Sequence, residues 1–353
     1  MNVVVLAGGL SPERDVSLSS GCKIANALIE NGHKVLLADL YMGLPDARDF
    51  GGAYAKYKKE HYEYRVPERE PDLMEISRMR EDGGSGIDAG QMIGEGILPI
   101  CADADITFNA LHGSIGENGR LQAVLDVFGI KYTGTGYEGS LLAMNKPLAK
   151  ELMRLNGINT PEWKIIGSCD GAGAVIPDGI GFPCVIKPCG CGSSIGVSIV
   201  NTPVEFAAAI KYAREYEETI MVEPKISGRE FSIGVLGGEA LPPIEIIPRS
   251  GFYDYKNKYQ QDATLEVCPP DNLTPSADAM LRDAALKTHN ILKLGGYSRL
   301  DAILASDGNL FCLETNTLPG MTPTSLLPQE AAAAGISFRD LCEKIILLAL
   351  KRT

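Results

Sequence analysis

Residues 298–320 hold the densest set of side chains able to do chemistry. Arg299 and Asp301 precede the dipeptide Asp307-Gly308, and Glu314 and Asn316 follow it, each pair spaced by two. Asp-Gly favours a two-residue hairpin loop with positive φ at both positions, so Ser306 is expected to pair with Asn309. That register sets Asp301 opposite Glu314 and Arg299 opposite Asn316, whereas a longer loop moves the pairing by one residue. Side chains alternate faces along a strand, so all four share one face, and Leu300, Ala302, Leu304, Phe311 and Leu313 are expected on the core face. One alternative is a solvated edge hairpin with Arg299 neutralising a single carboxylate. The flanking strands are apolar enough to be buried, however, and a buried like-charge pair must neutralise, shift its pKa or bind a metal. Hard oxygen donors of this kind suit magnesium, and the patch is expected to be a magnesium site.

A second candidate is the glycine- and serine-rich stretch 188–194, which lies between two strand-like segments, 182–187 and 195–200. Such a loop can fold over a triphosphate, donating backbone N–H groups and hydroxyls to phosphate oxygens. It is not a Walker loop, because Lys187 precedes the glycines at a strand end rather than following them at a helix start. Lys187 and the following segment Met221-Val222-Glu223-Pro224-Lys225 make a nucleotide the expected ligand.

Positioning these groups requires an α/β chain. The run Val3 to Ala7 reads as a strand ending at Gly8-Gly9, with a helix from about Val16 to Asn31 and strands at 35–40 and 105–111. This alternation predicts an open parallel sheet with ligands beyond the strand carboxyl ends. Glu13 and His112 both sit at such ends. The glycine pair lacks the third glycine of a dinucleotide fingerprint, and no acidic residue is read as closing the second strand. Residues 42–96 look like an insertion and are expected to be a solvated surface segment. Further on, Asn145-Lys146-Pro147 opens a helix, 230–236 and 241–247 read as strands, and 251–259 as a polar aromatic loop. Thr274 and Pro275 start a helix expected to end at Gly295-Gly296. A short helix is expected at 328–334. Ser337 caps a final amphipathic helix carrying Phe338, Leu341, Ile345 and Leu348 on one face. The expected division is an N-terminal α/β domain at 1–136, a central lobe at 137–228 and a C-terminal lobe at 229–353.

Composition narrows the functional class. The chain has 353 residues, 45% of them hydrophobic and 22% charged, which suits a folded protein of two or three lobes. A formal net charge of -12 disfavours nucleic-acid and anionic-membrane partners and points to a small molecule. Met1-Asn2 leads straight into a strand-like run with no signal-like segment, and no apolar run is long enough to span a bilayer, so a cytoplasmic protein is expected. Nine cysteines without a framework predict reduced thiols, and Cys184, Cys189 and Cys191 fit no zinc spacing.

The strand-end lysine, the glycine-serine loop and the Asp…Glu-x-Asn hairpin together resemble the ATP-grasp ligases, in which two lobes hold ATP between them. Gly8 to Ser17, Ala110-Leu111-His112-Gly113 with Glu117-Asn118-Gly119, Tyr132-Thr133-Gly134, and Glu314-Thr315-Asn316 through Pro319-Gly320-Met321-Thr322 with Ser325-Leu326 narrow this to the D-alanine–D-alanine ligase family. The resemblance implies an ATP-grasp fold behind an open parallel domain, a homodimer, and D-alanyl-D-alanine synthesis for peptidoglycan precursors through a D-alanyl phosphate. It implies that Asp301, Glu314 and Asn316 hold two Mg2+ ions, with Mn2+ as an alternative, while Lys146, Lys187 and Arg299 balance phosphate charge. Arg299 and Gly320 are implied to face the oxyanion, Glu13 the ammonium of the first D-alanine with His112 close by, and Ser325 and Leu326 the second. Ser193 and Tyr259 match residues that link with Glu13 to close the site. Ser194, Glu223, Glu230 and Phe252 match the nucleotide site, with Glu223 and Glu230 at the adenine and ribose. Pro224 has no N–H, which leaves the adenine-facing donor to Ile226. Lys258-Tyr259 favours an amine nucleophile. The alternatives are D-serine or D-lactate as second substrate, and a nucleotide-binding regulator without turnover.

Overall fold

The apolar segment at the start of the chain becomes β1 (Asn2–Ala7), the centre of a parallel three-stranded sheet in the order β2-β1-β3, with β2 at Lys34–Asp39 and β3 at Ile106–Asn109. The computed structural model describes residues 1–67, 71–82, 90–167, 176–192, 194–249 and 264–352. Helix α1 (Arg14–Glu30) crosses from β1 to β2, burying Ile24 and Leu28 against Val3 and Val5. Gly8 and Gly9 both have positive φ, and a Cβ on Gly8 would overlap the Asp39 carboxylate. Asp39 does close β2, contrary to expectation, but it serves no ribose. It ion-pairs with Arg14 and accepts the Tyr41 and Met42 amides at 2.9 and 3.1 Å. The glycine pair therefore lets the loop after β1 pack on an Arg14–Asp39 clamp.

The 42–96 segment is docked rather than solvated. It contains α2 (Phe50–Tyr57) and α3 (Leu73–Asp82), and Phe50, Ala53, Tyr62 and Arg80 are buried. Asn26 and Tyr62 exchange two hydrogen bonds (2.9 and 2.8 Å), the Tyr64 hydroxyl donates to Asp15, and the Arg80 guanidinium lies 4.2 Å from the Tyr41 ring centroid. Helices α4 (Ile97–Asp103), α5 (Ser114–Glu117), α6 (Arg120–Val127) and α7 (Tyr137–Met144) follow.

Helix α8 (Lys146–Leu155) starts where expected, its Asn145 side chain accepting the Leu148 amide at 3.1 Å. Beyond it lies an antiparallel sheet in the order β4-β7-β5-β6, from β4 (Lys164–Ile166), β5 (Cys184–Pro188), β6 (Ser198–Val200) and β7 (Ile220–Pro224). Helix α9 (Pro203–Ala213) covers one face through Phe206 and Ile210. β6 begins three residues later than predicted because the Ile195 amide turns back to the Gly192 carbonyl at 3.0 Å and the Val197 amide to the Ser194 carbonyl at 3.3 Å.

The third sheet is antiparallel, with the order β11-β10-β8-β12-β13 and β9 on β8. Its strands are β8 (Gly228–Leu236), β9 (Glu239–Ala240), β10 (Ile244–Pro248), β11 (Thr264–Val267), β12 (Tyr297–Ala305) and β13 (Leu310–Asn316). Helix α10 (Pro275–Ile291) is capped by the Thr274 hydroxyl at 3.2 Å. It stops before Gly295 because Lys293 takes a left-handed φ of 54 degrees. Helices α11 (Leu326–Ala333) and α12 (Phe338–Leu350) close the chain. Leu341 and Ile345 of α12 return to the core of the first sheet, where Leu318 and Met321 also lie. That shared core ties the exit of the β12–β13 hairpin to the strand ends carrying Glu13 and His112.

Candidate active site

The hairpin reaches the expected pairing by a different route. Ala305 donates to Asn309 at 2.9 Å and Gly308, with φ of 87 degrees, donates back to Ala305, so the loop holds three residues and Leu304 pairs with Leu310. An irregularity between Asp301 and Ala302 then absorbs Leu313 as an extra residue, restoring Asp301 opposite Glu314 and Arg299 opposite Asn316. The bulge also changes the faces. Leu310 and Cys312 join Leu300 and Ala302 in the core, Phe311 pairs with Ile303, and Leu313 turns into a cavity. The predicted core positions of Phe311 and Leu313 are thus corrected.

Arg299 grips Asp301 with two hydrogen bonds (2.8 and 2.7 Å), and the Asn316 amide donates to the same carboxylate at 2.9 Å. Lys146 stands 3.5 Å from Glu314. Among the described residues no three or more His, Cys, Asp or Glu side chains cluster as a metal cage. Two carboxylates and an amide on neighbouring strands nevertheless fit magnesium, which is usually held by one or two carboxylates together with waters and substrate phosphates.

A cavity of about 600 Å³ opens on one side of the hairpin. Asp301 and Glu314 line it together with Lys146, Lys187, Ser194, Glu223, Ile226 and Glu230, so eight expected residues meet there, between β5 and β7 on one side and β8 and β10 on the other. Val185, Ile199, Ile246 and Leu313 supply apolar walls. The Lys225 amide donates to the Pro183 carbonyl at 3.0 Å, which leaves Ile226 as the next backbone donor after Pro224. Both oxygens of buried Glu223 face lysines, Lys187 at 2.6 Å and Lys150 at 3.0 Å. These two cations outweigh the burial cost and hold the Glu223 carboxyl below its ordinary range, although burial is the largest single influence on it. Burial pushes the Cys189 thiol up to about 12 and that of Cys191 to about 11, so neither is a ready nucleophile. All eight described cysteines are unpaired.

On the other side a cavity of about 530 Å³ gathers Glu13, His112, Arg299, Asn316, Gly320, Ser325 and Leu326. Glu13 is buried under Gly113 and Gly192, where a side chain at Gly113 would collide with its carboxylate. His112 Nδ1 lies 3.1 Å from the Leu318 carbonyl, which can only accept, so Nδ1 carries the proton and Nε2 accepts from the Ser20 hydroxyl at 3.2 Å. Burial, aided by Arg299, lowers His112 to about 4 and keeps it neutral. Gly320 lacks a side chain where a Cβ would press on the Ser325 hydroxyl, which accepts the Thr322 amide at 3.1 Å. Ser193, Phe252, Lys258 and Tyr259 lie outside the described residues.

Two buried groups at the site have no role assigned from sequence: Lys150 is not singled out there, and Glu117 enters only as part of the Glu117-Asn118-Gly119 motif. Lys150 follows Lys146 by one helical turn, a spacing that places both on one face of α8 and is the only sequence signal for it. Glu117 accepts the Gly113 amide at 2.6 Å and the Leu318 amide at 3.4 Å, bridging the two loops that border the second cavity. Burial first and then Glu13 push it up to about 8.

The chain matches two family profiles end to end, described as D-ala D-ala ligase N-terminus over residues 2–135 and D-ala D-ala ligase C-terminus over residues 152–347. A D-alanine--D-alanine ligase of Pediococcus pentosaceus is 42% identical over 349 residues, covering 98% of this chain and 97% of that protein. One from Nitratidesulfovibrio vulgaris is 38% identical over 351 residues, with 99% and 98% covered. The crystal structure of the Bacillus anthracis D-alanine--D-alanine ligase complexed with ATP superposes with a TM-score of 0.72 at 26% identity, covering 99% of this chain and 98% of that one. The Coxiella burnetii ligase gives a TM-score of 0.75 at 25% identity, with 100% and 94% covered. The fold is the ATP-grasp fold of these ligases, and the chain belongs to the D-alanine–D-alanine ligase family.

Proposed function

We propose that the chain joins two D-alanines at the expense of ATP, forming D-alanyl-D-alanine for peptidoglycan precursors. One observation carries the proposal: a single hairpin face divides between the two cavities, Asp301 and Glu314 lining one, Arg299 and Asn316 the other. A phosphoryl donor in the first cavity and a carboxylate in the second meet across one strand pair.

In the first step a carboxylate oxygen of one D-alanine attacks the γ-phosphorus, and the bond to the β-γ bridging oxygen breaks to release ADP. In the second, the amine of another D-alanine attacks the acyl carbon, loses a proton, and phosphate leaves. Glu13 accepts hydrogen bonds from the first ammonium, beside the neutral His112. Lys146 and Lys187 take the phosphate charge. Arg299 and the backbone at Gly320 face the oxyanion, Ser325 and Leu326 border the second amino acid, and Glu230 and Ile226 hold the nucleoside. This is positioning with electrostatic stabilisation. Asp301, Glu314 and Asn316 would hold Mg2+, which supplies charge neutralisation at the terminal phosphates. The proposed division is an N-terminal domain at 1–136 and two lobes at 137–228 and 229–353, with a cytoplasmic homodimer as the working form. No helix among the described residues is long and apolar enough to cross a membrane.

Phosphate release from ATP and magnesium is the test, with D-alanine alone, with L-alanine alone, and with D-alanine plus D-serine or D-lactate, products being identified by mass. Release that requires D-alanine and yields the homodipeptide is expected. Release only with another acceptor overturns the substrate assignment, and ATP binding without release overturns the enzyme.

A further inference from the structure

Behind the wall of the nucleotide cavity, Lys150, Glu223 and Lys187 form a buried chain of charges. Lys150 is 1% exposed and Glu223 3%, and each Glu223 oxygen meets one ammonium, Lys150 at 3.0 Å and Lys187 at 2.6 Å. Lys187 and Glu223 line the cavity, whereas Lys150 is not among its described lining residues. The Lys150 ammonium instead backs onto the Trp163 ring, 5.3 Å from its centroid. Lys150 therefore touches no nucleotide from this position, and the mechanism above gives it no task.

The geometry creates a conflict that Lys150 resolves. Lys187 is assigned to an ATP phosphate, yet here it is bonded to Glu223. A lysine leaving a buried one-to-one pair strands its carboxylate uncompensated, which opposes the departure. With Lys150 on the other oxygen, Glu223 keeps a cation when Lys187 turns away. We propose that Lys150 is a positioning residue that keeps Glu223 neutralised so that Lys187 can engage the phosphates of ATP. The inference rests on the nucleotide assignment made above. The formal charge of the trio is +1, from Lys150 and Lys187 against Glu223. It becomes zero in Lys150→Met and returns to +1 in Lys150→Met/Glu223→Gln.

The experiment measures ATP affinity by calorimetry without D-alanine, and then KM and kcat for ATP and for D-alanine, in wild type, Lys150→Met, Glu223→Gln and the double variant. Lys150→Met is expected to weaken ATP about ten- to hundredfold in the wild-type background, the scale of one charged hydrogen bond, with the D-alanine KM unchanged. In the Glu223→Gln background, where no carboxylate is left for Lys150 to neutralise, the same substitution is expected to cost little. A loss of packing alone would be the same in both backgrounds. An equal loss in both backgrounds, or wild-type ATP affinity in Lys150→Met, overturns the proposal. If Lys150→Met does not fold, Lys150→Gln, which keeps a donor toward Glu223 without the charge, carries the same comparison with its own double. Should wild type bind ATP but release no phosphate with D-alanine, the calorimetric comparison of the four proteins still decides the role of Lys150, while the ligase assignment falls.

Discussion

In the first cavity Glu223 meets Lys150 and Lys187, Glu314 faces Lys146, and Asp301 is held by Arg299 and Asn316. Across the hairpin, Arg299 stands among Glu13, Glu117 and Glu266, next to a histidine that burial keeps neutral. Lys146, Lys187, Lys225 and Arg229 line the first cavity beside five carboxylates, and Lys23 and Arg299 line the second beside Glu13, Glu117 and Glu266, so net charge does not distinguish them. Under the proposed function the position along one strand pair does, with Asp301 and Glu314 toward ATP and Arg299 and Asn316 toward the amino acid. If so, substitutions on the two sides should affect different substrates.

The largest effect is expected where the sides meet. Glu314→Gln keeps shape and removes one of the two carboxylates proposed for magnesium. Phosphate release should fall at least about a hundredfold, in line with the loss of one electrostatic group at a transition state. The thermal midpoint should change little, since Glu314 is part-exposed at 25% and its Lys146 contact is 3.5 Å long. Near-normal turnover in this variant would remove the metal assignment.

Glu13→Gln comes next. The D-alanine KM should rise about thirtyfold, as expected for about 2 kcal/mol from one charged hydrogen bond, with ATP affinity unaltered. An equal loss for ATP would show that the cavities are not separable. The natural counterpart is Lys150→Met, with its effect confined to ATP.

How far these groups could be read from sequence depended on whether partner residues are close in the chain. Arg299, Asp301, Glu314 and Asn316 were legible because a period of two around Asp-Gly puts them on one face, although the three-residue loop and the Leu313 bulge shift the register twice and cancel at the site. The alternation of strand-like and helix-like segments at the start of the chain likewise made the parallel sheet legible. Lys150 was not legible, since its partner lies 73 positions away. The docking of 42–96 has no sequence signature, because Tyr62, Tyr64 and Arg80 are single anchors with no period, and each partner, Asn26, Asp15 and Tyr41, lies outside its own element. Asp39 ends β2 one residue before the predicted bound of 40, since the apolar Leu40 gives no sequence sign of the stop.

The smallest expected effect concerns stability and extends the carboxylate excess of the second side into the core. Glu330 on α11 is fully buried, and its carboxyl occupies the space left by the absent side chain of Gly234, which pairs with Arg299 across β8 and β12. Burial pushes it up to about 8, while Arg299, Ser232 and the Gly234 backbone pull the other way and Asp301 adds to the rise. An acid whose pKa is raised in the folded state holds its proton there while the unfolded chain has lost it, so stability declines as pH rises from about 4.5 to 8 and levels off above. Glu330→Gln has no proton to lose. The difference in thermal midpoint between Glu330→Gln and wild type should therefore grow in favour of the variant from pH 5 to pH 8, by about 2 °C or more for a chain of this size. A constant difference across that range would mean that the Glu330 carboxyl ionises in the fold as it does in water, and that the Arg299 side of the hairpin carries a full negative charge in its core.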